Sequence, residues 1–433
     1  MTLRALVAAT YFMVGGWPYG LEDTVAKAGY AGAILTLLVT PAIWAFPTAL
    51  MVSELSTALP HEGGFYVWAA RSMGPFWGFQ EAWLSLVGSI FDMALYPTLF
   101  ISYLGHFAPS VTAGGRGAAI AVALVAAAAC WNLLGARTVG ESSVLFGLAL
   151  LAPFVVLSCC AVWHRAPGNM LTLAPRHVDY LGGVLVAMWN YMGWDNSSTV
   201  AGEVERPKHT YPRAMAAAVG LVALNYTLPI AAVALTGLDP NRWSTGGWAD
   251  VARAVLGNGT AASALIIVLT GGGMLAALGT LNALTLSFSR LPAAMADDGL
   301  LPKILSRRNP KTAVPWVAVM ACATCWALCL GLTFTKLVML DVLLTGLSIL
   351  LEFASLVALR IREPELPRPY RIPGGLAGAV AVGLPPAALL VLTAIRTKAE
   401  PLGAGSFNAL ELGAILIGCG VVAYFLGVYI RKP

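Results

Sequence analysis

Windows of about 20 apolar residues, each long enough as a helix to cross about 30 Å of hydrocarbon, recur about twelve times along this chain. They fall near residues 3–26, 31–58, 76–105, 117–136, 141–163, 180–202, 213–237, 259–290, 314–334, 336–360, 375–396 and 408–430. Backbone N–H and C=O groups meet no water inside a bilayer, so such segments satisfy themselves as helices, and they are too long for barrel strands. Composition agrees: of 433 residues, 58% are hydrophobic and 11% charged, and the mean hydropathy is +0.76. That lies far outside the range of soluble domains. The expected fold class is an all-α integral membrane protein with twelve transmembrane helices.

Basic residues set the orientation. With both termini cytoplasmic, the inner segments carry about 17 Lys and Arg and the outer ones about 9, the sense expected when positive loops stay inside. The net charge of +5 is therefore a topology signal, and no nucleic-acid partner is expected. Residues 1–14 lack a small-residue cleavage site and run directly into Gly15 and Gly16, so no cleavable signal peptide is expected. Cys322, Cys325 and Cys329 share a helix face, but a metal would need further ligands and a polar surround that this apolar stretch does not offer. No catalytic cluster of His, Cys or Ser emerges. Neither a metal, a cofactor nor an enzymatic activity is expected.

The charges kept inside the apolar windows are almost all carboxylates: Glu54, Glu81, Asp92, Asp195, Asp341 and Glu352, with Glu22 and Asp23 beside an interruption. No Lys or Arg stands near the middle of any window to neutralise them. An ionisable group at the bilayer centre costs about 3 kcal/mol or more, so such residues face a bundle interior or a watery cavity. Several acids without an internal base suggest room for a cation.

Two windows are interrupted. The first reads Val14-Gly15-Gly16-Trp17-Pro18-Tyr19-Gly20-Leu21-Glu22-Asp23, where the glycines and Pro18 cannot continue an α-helix. The sixth reads Trp189-Asn190-Tyr191-Met192-Gly193-Trp194-Asp195-Asn196-Ser197-Ser198-Thr199, a polar patch at mid-membrane. Irregular backbone is tolerated at that depth only where it lines a cavity. Breaks in the first and sixth windows are what two five-helix repeats of opposite orientation produce, their unwound segments meeting at the midplane. The repeats would be residues 3–163 and 180–360 of a core spanning 1–360, with two accessory helices in 361–433. Gly/Pro kinks that serve helix packing alone are the alternative.

Several motifs resemble one family. They are Gly16 to Asp23, the stretch from Pro47 to Leu55 with Glu54, Pro60 to Trp68, Gly74 to Gln80, Asp92 to Pro97, Ala201 to Pro207 and Arg368 to Pro373. Together they resemble the amino acid–polyamine–organocation transporters, and Gly20 to Asp23, the Asp92 motif and Arg368 to Pro373 look most like the polyamine-uptake branch of plants and protists. The likeness runs from the first window to about residue 373. It implies a leucine-transporter-type 5+5 inverted repeat with two added helices, alternating access, and a substrate site between the unwound parts of spans one and six, closed by spans three, eight and ten.

The chain departs from the amino-acid-carrying relatives, which hold the substrate carboxylate on free N–H groups of a Gly-Ser-Gly-like motif in span one. Here Pro18 removes a donor, Trp17 and Tyr19 add bulk, and Glu22 and Asp23 place negative charge in the following turn. Acids at a helix start are also ordinary partners of its dipole. A substrate ammonium would nevertheless be welcome where a carboxylate is repelled. The candidate site comprises Gly16, Trp17, Tyr19, Glu22, Asp23, Asp92, Tyr96, Asn190, Tyr191, Trp194 and Asp195. In it Asp195 pairs with one amine, Glu22, Asp23 or Asp92 with another, and the aromatics offer cation–π faces or serve packing.

Glu54 stands where the resembled family keeps a Glu, and a buried carboxylate there suits either proton coupling or a gating contact. The span-five Lys used by proton-coupled relatives is absent from residues 141–163. Glu203 and Arg290 are candidates for an inner gate, beside the reading that they are solvated loop charge. A sodium site at Thr285, Ser287 and Ser289 ranks behind protons, because hydroxyls on membrane helices ordinarily bond backbone or a neighbouring helix. The functional expectation is a plasma-membrane secondary transporter in contact with lipid, importing an organic cation such as putrescine or a longer polyamine. It would be driven by protons or by the membrane potential. The alternative is an amino-acid permease or exchanger of the same fold.

Overall fold

The computed structural model describes residues 2–15, 17–60, 64–134, 143–167, 172–198, 204–398, 401–402 and 407–430. Among them the chain is helical throughout, with one isolated β-bridge, Pro401 to Asn408, and no strand. The long elements are α1 (Leu3–Met13), α2 (Glu22–Ala58), α3 (Pro75–Phe107), α4 (Arg116–Leu133), α5 (Ser143–Trp163), α6 (Tyr180–Asn190) and α7 (Pro207–Ala234). They continue as α8 (Thr260–Phe288), α9 (Trp316–Leu328), α10 (Phe334–Arg362), α11 (Gly375–Thr397) and α12 (Ala409–Ile430).

Eight helical stretches among the described residues are long and apolar enough to cross a membrane, so the protein is multi-pass. Two of the twelve windows read from the sequence fall short of that length because they are broken. α1 ends at Met13, where Gly15 takes φ +80 and Pro18 cannot donate. α2 joins two windows in one run of 37 residues, yet Gly29 inside it has φ 69 and ψ −179, which divides a short Glu22–Ala28 segment from the rest. A Cβ on Gly29 would stand 2.8 Å from the Leu173 carbonyl, so glycine is required there for space as well as for its left-handed backbone. α6 stops at Asn190 after 11 residues, and the turn through Gly193, at φ +90, leads into a single 3-10 turn over 195–198.

Local chemistry explains the intact elements. α3 begins with Pro75 at its first position, where the missing N–H is of no consequence, after Gly74 at φ +104. α6 is capped by Asp179, whose Oδ1 accepts from Gly182 N–H at 2.9 Å. α3 is the centre of the molecule, packed lengthwise against α10 and α8, while α2 lies on α6 and α1 on α7. Tight approach needs small residues: a Cβ on Gly88 of α3 would come within 2.5 Å of Thr345 Oγ1 on α10, and one on Gly273 of α8 within 2.8 Å of the Tyr103 ring. Gly88→Ala is expected to force α3 and α10 apart at a cost of about 1–3 kcal/mol. The check is thermal denaturation of the purified protein, where an unchanged midpoint would mean that this seam yields freely.

Candidate functional site

The two breaks face one another. A Cβ on Gly193 would lie 3.3 Å from the Met13 carbonyl oxygen, and Gly20, at φ +87, lies under the Trp189 ring, whose nearest carbon would be 2.9 Å from a Cβ there. Between them is a cavity of about 140 Å³, close to the volume of about 150 Å³ that admits one benzene in an engineered protein core. The first break contributes Met13, Val14, Trp17 and Tyr19, and the second Asn190, Gly193, Asp195 and Asn196. α3 adds Ser85, Asp92 and Tyr96, α8 adds Ala276 and Thr280, and α10 adds Asp341 and Thr345.

Among the described residues, three carboxylates reach this wall and no Lys or Arg does. Asp92 is held by Trp189 Nε1 at 3.1 Å and by the Tyr96 hydroxyl at 3.1 and 3.2 Å, so its orientation is set by two donors. Asp341 lies within electrostatic reach of Asp92 from across the seam and accepts from Thr345 Oγ1 at 2.8 Å. Asp195 projects from the second break. Aromatic faces complete the enclosure: Tyr19 meets Tyr103 edge-on at 5.4 Å between centroids, and Tyr96 and Trp189 lie 6.4 Å apart.

Of the residues singled out from the sequence, Trp17, Tyr19, Asp92, Tyr96, Asn190 and Asp195 come together on the cavity wall. Gly16 and Glu203 lie outside the described residues. Glu22 is fully buried behind the wall, its Oε1 accepting from the Tyr103 hydroxyl at 2.5 Å, while that hydroxyl also accepts from Gly20 N–H at 3.3 Å. Tyr103→Phe would strand a buried acceptor, at about 1–3 kcal/mol. A lowered thermal midpoint of the purified protein is expected, and an unaltered one would mean that this bond contributes nothing to stability. Asp23 is engaged by Thr245 Oγ1 at 2.8 Å. Tyr191 and Trp194 are buried in packing roles, Tyr191 donating to Leu37 O and Trp194 Nε1 to Tyr191 O, each at 2.8 Å.

Sequence reasoning missed Asp341, Thr345 and Ser85 as wall residues. A signal existed: Glu81, Ser85, Gly88 and Asp92 repeat at helical spacing on α3, as do Asp341, Thr345, Ser348 and Glu352 on α10, so each set forms one polar stripe. Only packing reveals that the stripes face each other.

Glu54 stands apart from the cavity and is not the unneutralised acid that the sequence suggested. Arg360, from the last turn of α10, donates through Nε at 2.8 Å and Nη2 at 2.5 Å, and Ile372 N–H adds a third bond at 2.7 Å. Arg368 Nε lies 3.5 Å away, and Arg360 Nη1 also donates to the Gly375 carbonyl. Bases at the ends of helices reach across to an acid near another helix end, which a helix-by-helix reading cannot foresee. Nearby, Arg71 pairs with Glu363 at 2.7 Å, and Arg362 donates to Ser72 O at 2.6 Å. Arg290 is exposed at the start of the short helix Arg290–Asp297. Thr285 Oγ1 donates to Leu281 O at 2.7 Å, the ordinary backbone bond of a membrane hydroxyl.

A multi-pass helical protein with an acid-lined chamber between two interrupted helices has the build of a solute permease. The family model described as amino acid permease matches residues 6–417, and the chain belongs to that family. It is 34% identical over 418 residues to Polyamine transporter PUT1 of Oryza sativa subsp. japonica, covering 96% of this chain and 77% of that protein. It is 33% identical to Polyamine transporter RMV1 of Arabidopsis thaliana, covering 97% and 85% respectively. An uncharacterized transporter of Mycobacterium tuberculosis (strain CDC 1551 / Oshkosh) is 29% identical over 73% of this chain and 70% of its own.

Proposed function

We propose that the protein imports a small organic polycation, putrescine or a related polyamine, across the plasma membrane by alternating access. The observation that carries this reading is the cavity wall itself, on which Asp92, Asp195 and Asp341 stand with no Lys or Arg among the described residues. An ammonium ion fits such a wall, and Trp17, Tyr19 and Tyr96 provide faces worth about 0.5–2 kcal/mol each in cation–π contact. Three amides of the first break argue the same way, while those of Tyr19 and Leu21 bond no acceptor among the described residues. Gly15 N–H bonds Phe12 O at 3.2 Å, Trp17 N–H bonds Gly15 O, Gly20 N–H bonds Tyr103, and Pro18 has none to offer. A substrate carboxylate would find these donors already engaged. The names of the rice and Arabidopsis relatives agree with a polyamine substrate.

In this reading the core is a twelve-span, leucine-transporter-type molecule with repeats at 3–163 and 180–360, two accessory helices in 361–433 and both termini in the cytoplasm. Support comes from the matched positions of the two breaks and from the pairing of α1 with α7 and of α2 with α6. The membrane potential is a sufficient driving force. A dication gains about 4.6 kcal/mol on crossing 100 mV, enough for roughly a 2,000-fold accumulation. A proton is the candidate coupling ion. Glu54, Glu203 and Arg290 belong to the inner gate, Glu54 through its clamp with Arg360 and Arg368.

Counterflow in proteoliposomes tests the reading. Labelled putrescine is expected to accumulate saturably, to exchange with internal putrescine, and to be displaced by polyamines but not by leucine, arginine or glutamate. Displacement by the amino acids alone would replace this function with amino-acid transport.

A further inference from the structure

The polar seam between α3 and α10 continues beyond the cavity. Past Ser85 it ends in a second group of acids, Glu81 and Glu352, with Asp195 within electrostatic reach of both. Glu81 Oε1 accepts from Ser348 Oγ at 2.6 Å and from Ser85 Oγ at 3.1 Å, and the two hydroxyls lie 3.0 Å apart. The other oxygens are unspent: Glu81 Oε2 and Glu352 Oε2 have no hydrogen-bond partner among the described residues, although the two side chains are only 0% and 1% exposed. Buried acceptors without donors are rare in native structures and call for an explanation. No Lys or Arg side chain bonds either residue among the described contacts. Asp195 lines the cavity and is within electrostatic reach of these acids, so it links the two.

Helix geometry gives the spacing. Asp92 and Ser85 are seven residues apart, about 10 Å of helix rise, and Asp92 and Glu81 eleven, about 16 Å. An extended chain advances about 1.2 Å per bond. A four-carbon diamine, with five bonds between its nitrogens, spans about 6 Å and lies within the cavity. A triamine lengthened by an aminopropyl arm has nine bonds between its terminal nitrogens and spans about 11 Å, which carries its far ammonium into the seam.

We propose that Glu81 and Glu352, with the Ser85 and Ser348 hydroxyls, form a second ammonium-binding station that recognises the far amine of a triamine or longer polyamine and so sets preference by chain length. This rests on the polyamine reading above and adds to it a length specificity. The first ammonium sits at Asp92 and Asp341, a middle amine passes Asp195, and the arm displaces the Ser85–Ser348 hydrogen bond as it enters. The unpartnered carboxylate oxygens then receive the donors they lack.

The test uses full-length protein purified in detergent, with equilibrium binding of putrescine and of spermidine. Wild type is expected to bind spermidine at least tenfold more tightly than putrescine. In the Glu81→Gln, Glu352→Gln double variant, spermidine affinity is expected to fall at least tenfold, to the putrescine level, while putrescine affinity stays within twofold. Retained putrescine binding is itself the proof of folding, and Ser348→Ala, a smaller change, is expected to lower spermidine affinity severalfold on its own. A wild type without length preference overturns the second station, as does a double variant that keeps its preference or loses both ligands in equal measure. A wild type that binds neither compound overturns the polyamine function itself, a result distinct from all of these.

Discussion

Asp195→Asn is expected to lower putrescine affinity at least 100-fold while the protein still folds and inserts. The substitution keeps size and shape but removes the charge that the second break presents to the cavity. A hundredfold loss corresponds to about 2.7 kcal/mol, in the upper range of a hydrogen bond to a charged group. The carboxylate belongs to no ion pair among the described residues, so its removal should leave the scaffold intact. Equilibrium binding and a thermal-denaturation profile separate the two effects. Wild-type affinity in the variant would remove Asp195 from the site and with it the main support for a cationic substrate.

Glu54→Gln is expected to act in the opposite way, through the scaffold. The Glu54 and Arg360 side chains are 0% and 1% exposed, and the bond between them ties α2 to α10 and to the segment 363–375. Neutralising one partner of a buried pair leaves the other charged and uncompensated, which costs about 3–5 kcal/mol. A large fall in thermal midpoint is therefore expected for Glu54→Gln, with partial recovery when Arg360→Met is added, because an apolar pair of similar volume is often tolerated. A free proton carrier would behave differently: the variant would keep its stability and lose only the pH dependence of uptake. Thermostability by size exclusion together with uptake at several pH values distinguishes these outcomes.

These two acids show how much of the site was legible beforehand. Asp195 and Asp92 stood out because a carboxylate among apolar residues violates a local rule, and Trp17, Tyr19, Tyr96 and Asn190 because they flank a break or an acid in the chain. Tyr191 and Trp194 carried the same signal but turn into packing, because a break reverses the direction of side chains over a few residues and no periodicity predicts it. Asp341 was visible as a membrane acid, yet nothing within α10 tells that its stripe meets that of α3. Arg360 stands at the very end of the tenth window, away from its middle, and its partner Glu54 is 306 positions distant.

Lipid imposes its demands residue by residue, since each buried backbone group must be satisfied and each buried charge explained. The multi-pass helical class, the two interruptions and the excess of acids are thus properties of the sequence alone. Which acids share a cavity, which is clamped by arginine and which line the seam between α3 and α10 depends on how helices far apart in the chain pack. That choice is made by steric fit at residues such as Gly88 and Gly193, where the absence of a Cβ lets two segments approach. Such fit is a property of surfaces in three dimensions, and only the tertiary structure decided it.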